Sequence, residues 1–159
     1  MVNYRKYVTI SIGLTIALML YYIFLTGHSM QFMTRWTALL SYMTLGIIDV
    51  PVSIDGVIIS TQGFSVRIIK ECTVVGPLLV LGMGIFSYPA PFRIKAWGVV
   101  WGVLIMLLVN QIRIASLFFI GVKFPVLLEV AHLVIWQGIL IVVGIVIWLL
   151  WVERVDSAT

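Results

Sequence analysis

Hydrophobic positions fill four long stretches of the chain, and polar ones collect in the connections between them. The stretches are Tyr7 to Leu25, Cys72 to Ser87, Trp97 to roughly Phe119, and Val126 to Trp151. A bilayer core of about 30 Å takes about 20 apolar residues at 1.5 Å each, so the pattern predicts four transmembrane helices. Pro89 and Pro91 break one connection, and Gly121 and Pro125 break the other. The first stretch follows Arg5 and Lys6 and resembles a signal peptide. No small-residue cleavage site follows it, and Tyr21, Tyr22 and Phe24 crowd its end, so it reads as a retained anchor.

Between the first two stretches the periodicity changes twice. From Met30 to Ile48, the residues Met33, Trp36, Leu40, Met43 and Ile47 recur at steps of three and four, which is one apolar face of a helix. Gln31, Thr34, Arg35 and Ser41 lie elsewhere on the wheel, which suits a helix lying in the membrane interface. A crossing here would invert every later span and carry Arg93 and Lys95 outward. Next, Val50, Val52 and Ile54 alternate with Pro51, Ser53 and Asp55, and Asp55-Gly56 predicts a type I′ hairpin turn. Val57 to Ser60 forms a second run, ending at Gln62-Gly63. A third run places Phe64, Val66 and Ile68 on one face and Ser65 and Arg67 on the other. This predicts a three-stranded meander, with Pro51 on its edge, leading directly into Glu71-Cys72.

Composition narrows the class. Of 159 residues, 62% are hydrophobic and 10% charged, whereas a soluble domain is about half apolar and a quarter charged. The fold class is therefore an all-α integral membrane protein with about four transmembrane helices. An outward-facing amphipathic helix and a small β-meander precede the second span. A net charge of +4 raises nucleic acid as a partner, but the basic residues form no stripe and read better as topology signals. Arg5, Lys6, Arg93, Lys95 and Arg154 fall on one side close to span ends. Arg35, Arg67, Lys70, Arg113 and Lys123 fall on the other, mostly spread over a long segment. Density therefore places both termini in the cytoplasm. The expected organisation is one membrane domain: an anchor over 1–26, an extracytoplasmic part over 27–71, a three-helix core over 72–152 and a cytoplasmic tail over 153–159.

Ionisable groups within spans are costly, which makes each a functional candidate. Cys72 begins the second span. Arg113 lies sixteen residues beyond Trp97, about 24 Å up a span rising from the cytoplasmic side. His132 lies one to two turns into the fourth span. All three thus sit near the outer boundary at similar height. Singly, each has a plain explanation: Cys72 as a small buried hydrophobe, Arg113 as a residue snorkelling to headgroups, and His132 as an interface histidine. Against these, Cys72 sits where a strand becomes a helix, and unpaired N–H groups there stabilise a thiolate. Glu71 opposes that unless it points away or pairs with Lys70 or Arg67. Asn110 and Arg113 share a helix face at i, i+3, and Glu129 is placed to hold the His132 ring. Together, Cys, His and Arg supply a nucleophile, a proton carrier and an oxyanion donor. One cysteine excludes an internal disulfide, and two separated histidines without a His-Glu-x-x-His motif are no zinc site. No cofactor is implied.

From the amphipathic helix through the Gly56 and Gly63 meander to Glu71-Cys72-Thr73, Asn110-x-x-Arg113-Ile114 and His132, the chain resembles the exosortase and archaeosortase family of membrane cysteine transpeptidases. The resemblance covers about residues 30 to 150. It departs from the family where Val74 follows Thr73, since a glycine is common there and here comes only at Gly76. The resemblance implies Cys72, Arg113 and His132 as catalytic residues, supported by Asn110, Glu71 and Thr73. It implies as partners secreted proteins with a C-terminal sorting signal comprising a short motif, a transmembrane helix and a basic tail. Cleavage would occur at the outer face of the cell membrane, and a lipid or glycan acceptor would release the acyl-enzyme. The alternative is a small non-enzymatic membrane subunit whose Arg113, Asn110 and His132 hold helices together or bind anionic headgroups.

Overall fold

The computed structural model describes residues 29–157, together with Thr15, Met19 and Tyr22, which are helical. The predicted anchor over 1–26 falls, but for those three positions, outside the described residues, as does His28. The described chain is mostly helical with one small sheet. Its elements are α1 (Ser29–Ile47), β1 (Ser53–Asp55), β2 (Ile58–Thr61), β3 (Phe64–Arg67), a 3-10 turn (Lys70–Cys72), α2 (Val75–Ser87), α3 (Phe92–Lys123) and α4 (Pro125–Ser157).

Two of the described helices, α3 and α4, are long and apolar enough to cross a membrane. The second predicted span is shorter than the sequence pattern implies. Its helix has 13 residues, about 20 Å at 1.5 Å per residue. The reason is local: Lys70–Cys72 form a separate 3-10 turn, so the helix starts only at Val75, after Cys72 rather than at it. The other two predicted spans lengthen, because Pro91 caps the start of α3 and Pro125 stands in the first turn of α4.

α1 forms where its periodicity predicts, but its large apolar stripe faces away from the protein. Trp36, Leu40, Met43 and Ile47 are exposed, while Met30, Ala38, Ser41 and Leu45 are buried. Small residues on the inner side let α1 approach α3 closely, as between helices in lipid. A polar latch fixes the register. Ser41 Oγ lies 3.1 Å from Gln111 Oε1 and Thr44 Oγ1 lies 3.5 Å from it, each hydroxyl donating. α1 stops in a Schellman arrangement, with Asp49 N–H bonded to Gly46 O and Val50 N–H to Leu45 O, and Asp49 at φ 56° takes the left-handed position.

The meander is antiparallel, in the order β1-β2-β3. Only Ser53–Asp55 of the first apolar run pairs, since Pro51 has no N–H to contribute. Val50 and Val52 pack onto the core from the connecting loop instead. The first hairpin turns at Gly56-Val57 between paired Asp55 and Ile58, one residue later than predicted. Only Gly56 has positive φ, which excludes type I′ and fits a turn with glycine first; β-branched Val57 resists the left-handed region. Ile54, Ile59 and Val66 align across the three strands. With Ala38, Leu45, Ile68, Ile114 and Phe118 they form an upper core, to which Cys72 belongs.

α3 is the central helix. Its buried stripe runs Gly98, Gly102, Met106, Asn110, Arg113, Leu117 and Gly121 at steps of three and four. The glycines admit large neighbours, since a Cβ at Gly98 would strike the Trp151 indole and one at Gly102 would meet Leu81 Cδ2 at 2.7 Å. The lower core gathers Leu81, Ile85, Met106, Trp151 and Val155, and Trp151 Nε1 donates to Ile94 O at 3.3 Å. At the upper end, Phe64 lies over Gly121 and packs edge-on against Phe118, ring centroids 5.5 Å apart. Gly121→Leu is therefore expected to lift the meander off α3, destabilising the chain by about 1–3 kcal/mol. Thermal unfolding in detergent measures it, and adding Phe64→Ala, which vacates the contact, should return part of the loss.

Candidate functional site

The chain leaves β3 at Arg67 and tightens into the Lys70–Cys72 turn, where Cys72 N–H donates to Ile69 O at 2.9 Å. Thr73 closes that turn twice: its N–H and its hydroxyl both donate to Lys70 O, at 3.1 and 2.7 Å. Thr73 thus shapes the backbone beside the thiol and makes no hydrogen bond to it. Glu71 is half-exposed and lies 4.0 Å from Lys70 Nζ, so its charge is turned outward and partly offset by a neighbour.

Cys72, which is 8% exposed, meets residues from two other helices. Asn110 of α3, 1% exposed, donates from Nδ2 to Cys72 O at 2.9 Å. Arg113 lies on the same face one turn further along α3. It is also 1% exposed and close enough for its charge to act on both Cys72 and His132. Arg113 does not snorkel: its Nε and Nη1 are buried and make no hydrogen bond among the described residues, and Asn110 Oδ1 is equally unpartnered. From α4, His132 brings Nε2 to 3.9 Å from Cys72 Sγ. The three residues expected at one height therefore converge at one point.

A departure from regular helix aims the histidine. Residues Ala131–Ile135 form a single π turn inside α4, which inserts one residue and rotates the following face. Ala131 is buried, and His132 beside it is half-buried toward Cys72. Glu129 does not hold the ring: it is exposed and makes no hydrogen bond to His132 among the described residues.

Burial dominates the thiol's electrostatics and pushes the Cys72 pKa up. The hydrogen bond with Ile69 and the Arg113 charge pull it down, and Glu71 adds a smaller upward push. The resting side chain is thus a neutral thiol next to an imidazole, rather than the thiolate that a helix N-terminus alone suggests. An apolar groove of about 550 Å³ lies lower, between α2 and α4, lined by Gly76, Val80, Gly84, Gln137, Gly144 and Trp148. Gly76 and Gln137 place its upper end four and five residues along the chain from Cys72 and His132.

Sequence reasoning did not find three of these features. The π turn leaves no local signature, because Ala131-His132-Leu133-Val134-Ile135 suits any apolar helix. The Gln111 latch spans 70 residues of chain, though the adjacent Asn110-Gln111 in an apolar span is itself a signal. The Asn110 bond ends on a main-chain carbonyl, which side-chain patterns do not report.

No curated protein and no solved structure matches the chain at significance. A family model does: that described as Transmembrane exosortase (Exosortase_EpsH), over residues 4–152. With nearly the whole chain covered, the protein belongs to the transmembrane exosortase family.

Proposed function

We propose that this exosortase-family membrane protein is a cysteine transpeptidase that cleaves C-terminal sorting signals of secreted proteins at the outer membrane face. The observation that carries the reading is the meeting of Cys72, Arg113 and His132 from three separate elements, with Sγ 3.9 Å from Nε2 and a fully buried guanidinium beside them. Cys72 attacks the scissile carbonyl, and the thiol proton passes to His132. A C–S bond forms, and the C–N bond breaks as the protonated imidazole returns its proton to the leaving amine. Arg113 stabilises the oxyanion in the tetrahedral intermediate with N–H groups that no acceptor among the described residues occupies. A hydroxyl or amine of a lipid or glycan then attacks the thioester; the C–S bond breaks and sulfur regains a proton.

A neutral resting thiol favours His132 as general base over a standing thiolate–imidazolium pair. The three-helix part over 72–152 is the catalytic unit in this reading. α1 and the meander cover its outer end, and their apolar outer residues rest in the membrane interface.

The direct test expresses the chain with a secreted protein bearing a C-terminal apolar helix and reads processing as a gel shift in membranes. Cys72→Ser should abolish the shift, whereas wild-type processing by this variant would remove the reading. Arg113→Lys keeps the charge and loses the planar fork, and should slow processing about 10²–10³-fold. A structural subunit would tolerate both. The titration makes an independent prediction. A thiol raised by burial is less ionised at neutral pH than a free cysteine, so iodoacetamide alkylation of Cys72 should rise through a midpoint above that of a free cysteine measured alongside. Arg113→Met removes a charge that lowers the pKa and should move the midpoint higher still.

A further inference from the structure

Asn110 is oriented by what it holds. The Cys72 carbonyl can only accept, so the amide atom 2.9 Å from it is the donor, Nδ2, and the direction of Oδ1 is thereby set. That leaves an acceptor on a side chain 1% exposed with no partner among the described residues. An unmet buried acceptor is destabilising. One helical turn along the same face, Arg113 presents unpartnered Nε and Nη1 donors. An acceptor and a pair of donors thus lie one turn apart on the α3 face that meets Cys72, each without a hydrogen-bond partner among the described residues.

An extended peptide carries the complementary pair. In an antiparallel ladder a single residue exchanges both its N–H and its C=O with the residue opposite, so both groups of that residue point the same way. We propose that Asn110 and Arg113 together read the main chain of the residue that donates the scissile carbonyl: Arg113 takes its C=O, and Asn110 Oδ1 accepts its own N–H. This rests on the reading of Cys72 as nucleophile. It extends that reading by specifying the bound conformation, extended at that residue, and by making Asn110 a substrate-binding residue as well as the anchor of the Cys72 backbone. Recognition of this kind ignores the side chain, leaving sequence preference to other contacts.

The test uses a matched pair of thiol-alkylating probes and needs no knowledge of the natural substrate. One is an N-acetyl-alanine chloromethyl ketone; the other is its O-acetyl-lactic counterpart, in which oxygen replaces only the N–H in question. In each, sulfur displaces chloride from the methylene carbon, and the carbonyl lies where the scissile carbonyl would. Cys72 loss is followed by mass spectrometry on the full chain in detergent, with iodoacetamide as the reference for intrinsic thiol reactivity. The wild type should label about tenfold faster with the amide probe than with the ester, the value of one hydrogen bond. Asn110→Leu should bring the ratio to about one whatever happens to the iodoacetamide rate, and Asn110→Ala serves if the larger side chain prevents folding. A wild-type ratio near one, or an undiminished ratio in the Asn110 variants, overturns the proposal. Because alkylation does not depend on turnover, these outcomes are independent of the processing assay. Normal processing with a ratio near one removes this inference alone, while processing by Cys72→Ser removes the reading beneath it.

Discussion

A guanidinium that is 1% exposed in the wall of an apolar helix bundle is the constraint around which the upper half of the molecule is arranged. Removing an ion from water costs several kcal/mol even after relaxation, and Arg113 has no carboxylate partner among the described residues to offset it. The acidic side chain on the Cys72 turn, Glu71, is half-exposed and turned toward Lys70. The structure therefore holds Arg113 charged and underused. Such an arrangement is stable only if the rest of the fold supplies the difference. The two apolar cores above and below, joined along α3, are where that stabilisation comes from.

The buried stripe of α3 divides this work by height. Low on the helix, Gly98 and Gly102 admit the Trp151 indole and Leu81, so α2, α3 and α4 pack tightly. In the middle, Met106 fills the lower core. One turn higher, the stripe becomes polar at Asn110 and Arg113, and beyond these it becomes apolar at Leu117 and then small again, where Phe64 lies across Gly121. The polar pair is thus enclosed between two apolar seals, which keeps the local dielectric low and makes any hydrogen bond the pair forms stronger than it is in water. The Gln111 latch to α1 completes the enclosure on the remaining side.

Much of this was legible in the sequence, and what was not has a common physical cause. α1, the three strands and the alternation of Phe64, Val66 and Ile68 followed from local periodicity, since side-chain period reports backbone geometry directly. The depth argument brought Cys72, Arg113 and His132 to one level because rise per residue is nearly constant in a helix. Orientation about the helix axis is another matter. Hydrophobicity ceases to distinguish inside from outside where the surroundings are apolar, so the stripe of Trp36, Leu40, Met43 and Ile47 was legible as one face of α1, while the buried positions Ala38, Ser41 and Leu45 that pack against the protein were not. The same ambiguity hid the length of α2, because Cys72, Thr73 and Val74 are apolar or small enough to extend a span and only the 3-10 turn shows that they do not. Glu129 stands one turn before His132 as the sequence indicates, but its side chain is exposed and makes no hydrogen bond to the ring among the described residues, because spacing alone does not tell whether a carboxylate turns to solvent.

That π turn bears directly on how a neutral thiol can be put to use. A thiol buried in an apolar core is a poor nucleophile until a base takes its proton, and a base can do so only from hydrogen-bond range. At 3.9 Å the imidazole is near that range, and no carboxylate among the described residues makes a hydrogen bond to its ring. A regular helix through 131–135 would rotate His132 away from α2 and the turn preceding it, so the extra residue is the local cost of bringing imidazole and sulfur together. Arg113 explains why the pair need not ionise at rest. A cation lowers the energy of the thiolate, but it raises the energy of a neighbouring imidazolium, so proton transfer between them gains little until the negative charge moves onto the substrate oxygen. In the proposed reaction Arg113 would then face an oxyanion, with donors already in place. Under the proposed reaction, the site is quiet when empty and responds to the one event, formation of a tetrahedral oxyanion, that matches the donors left without a partner among the described residues.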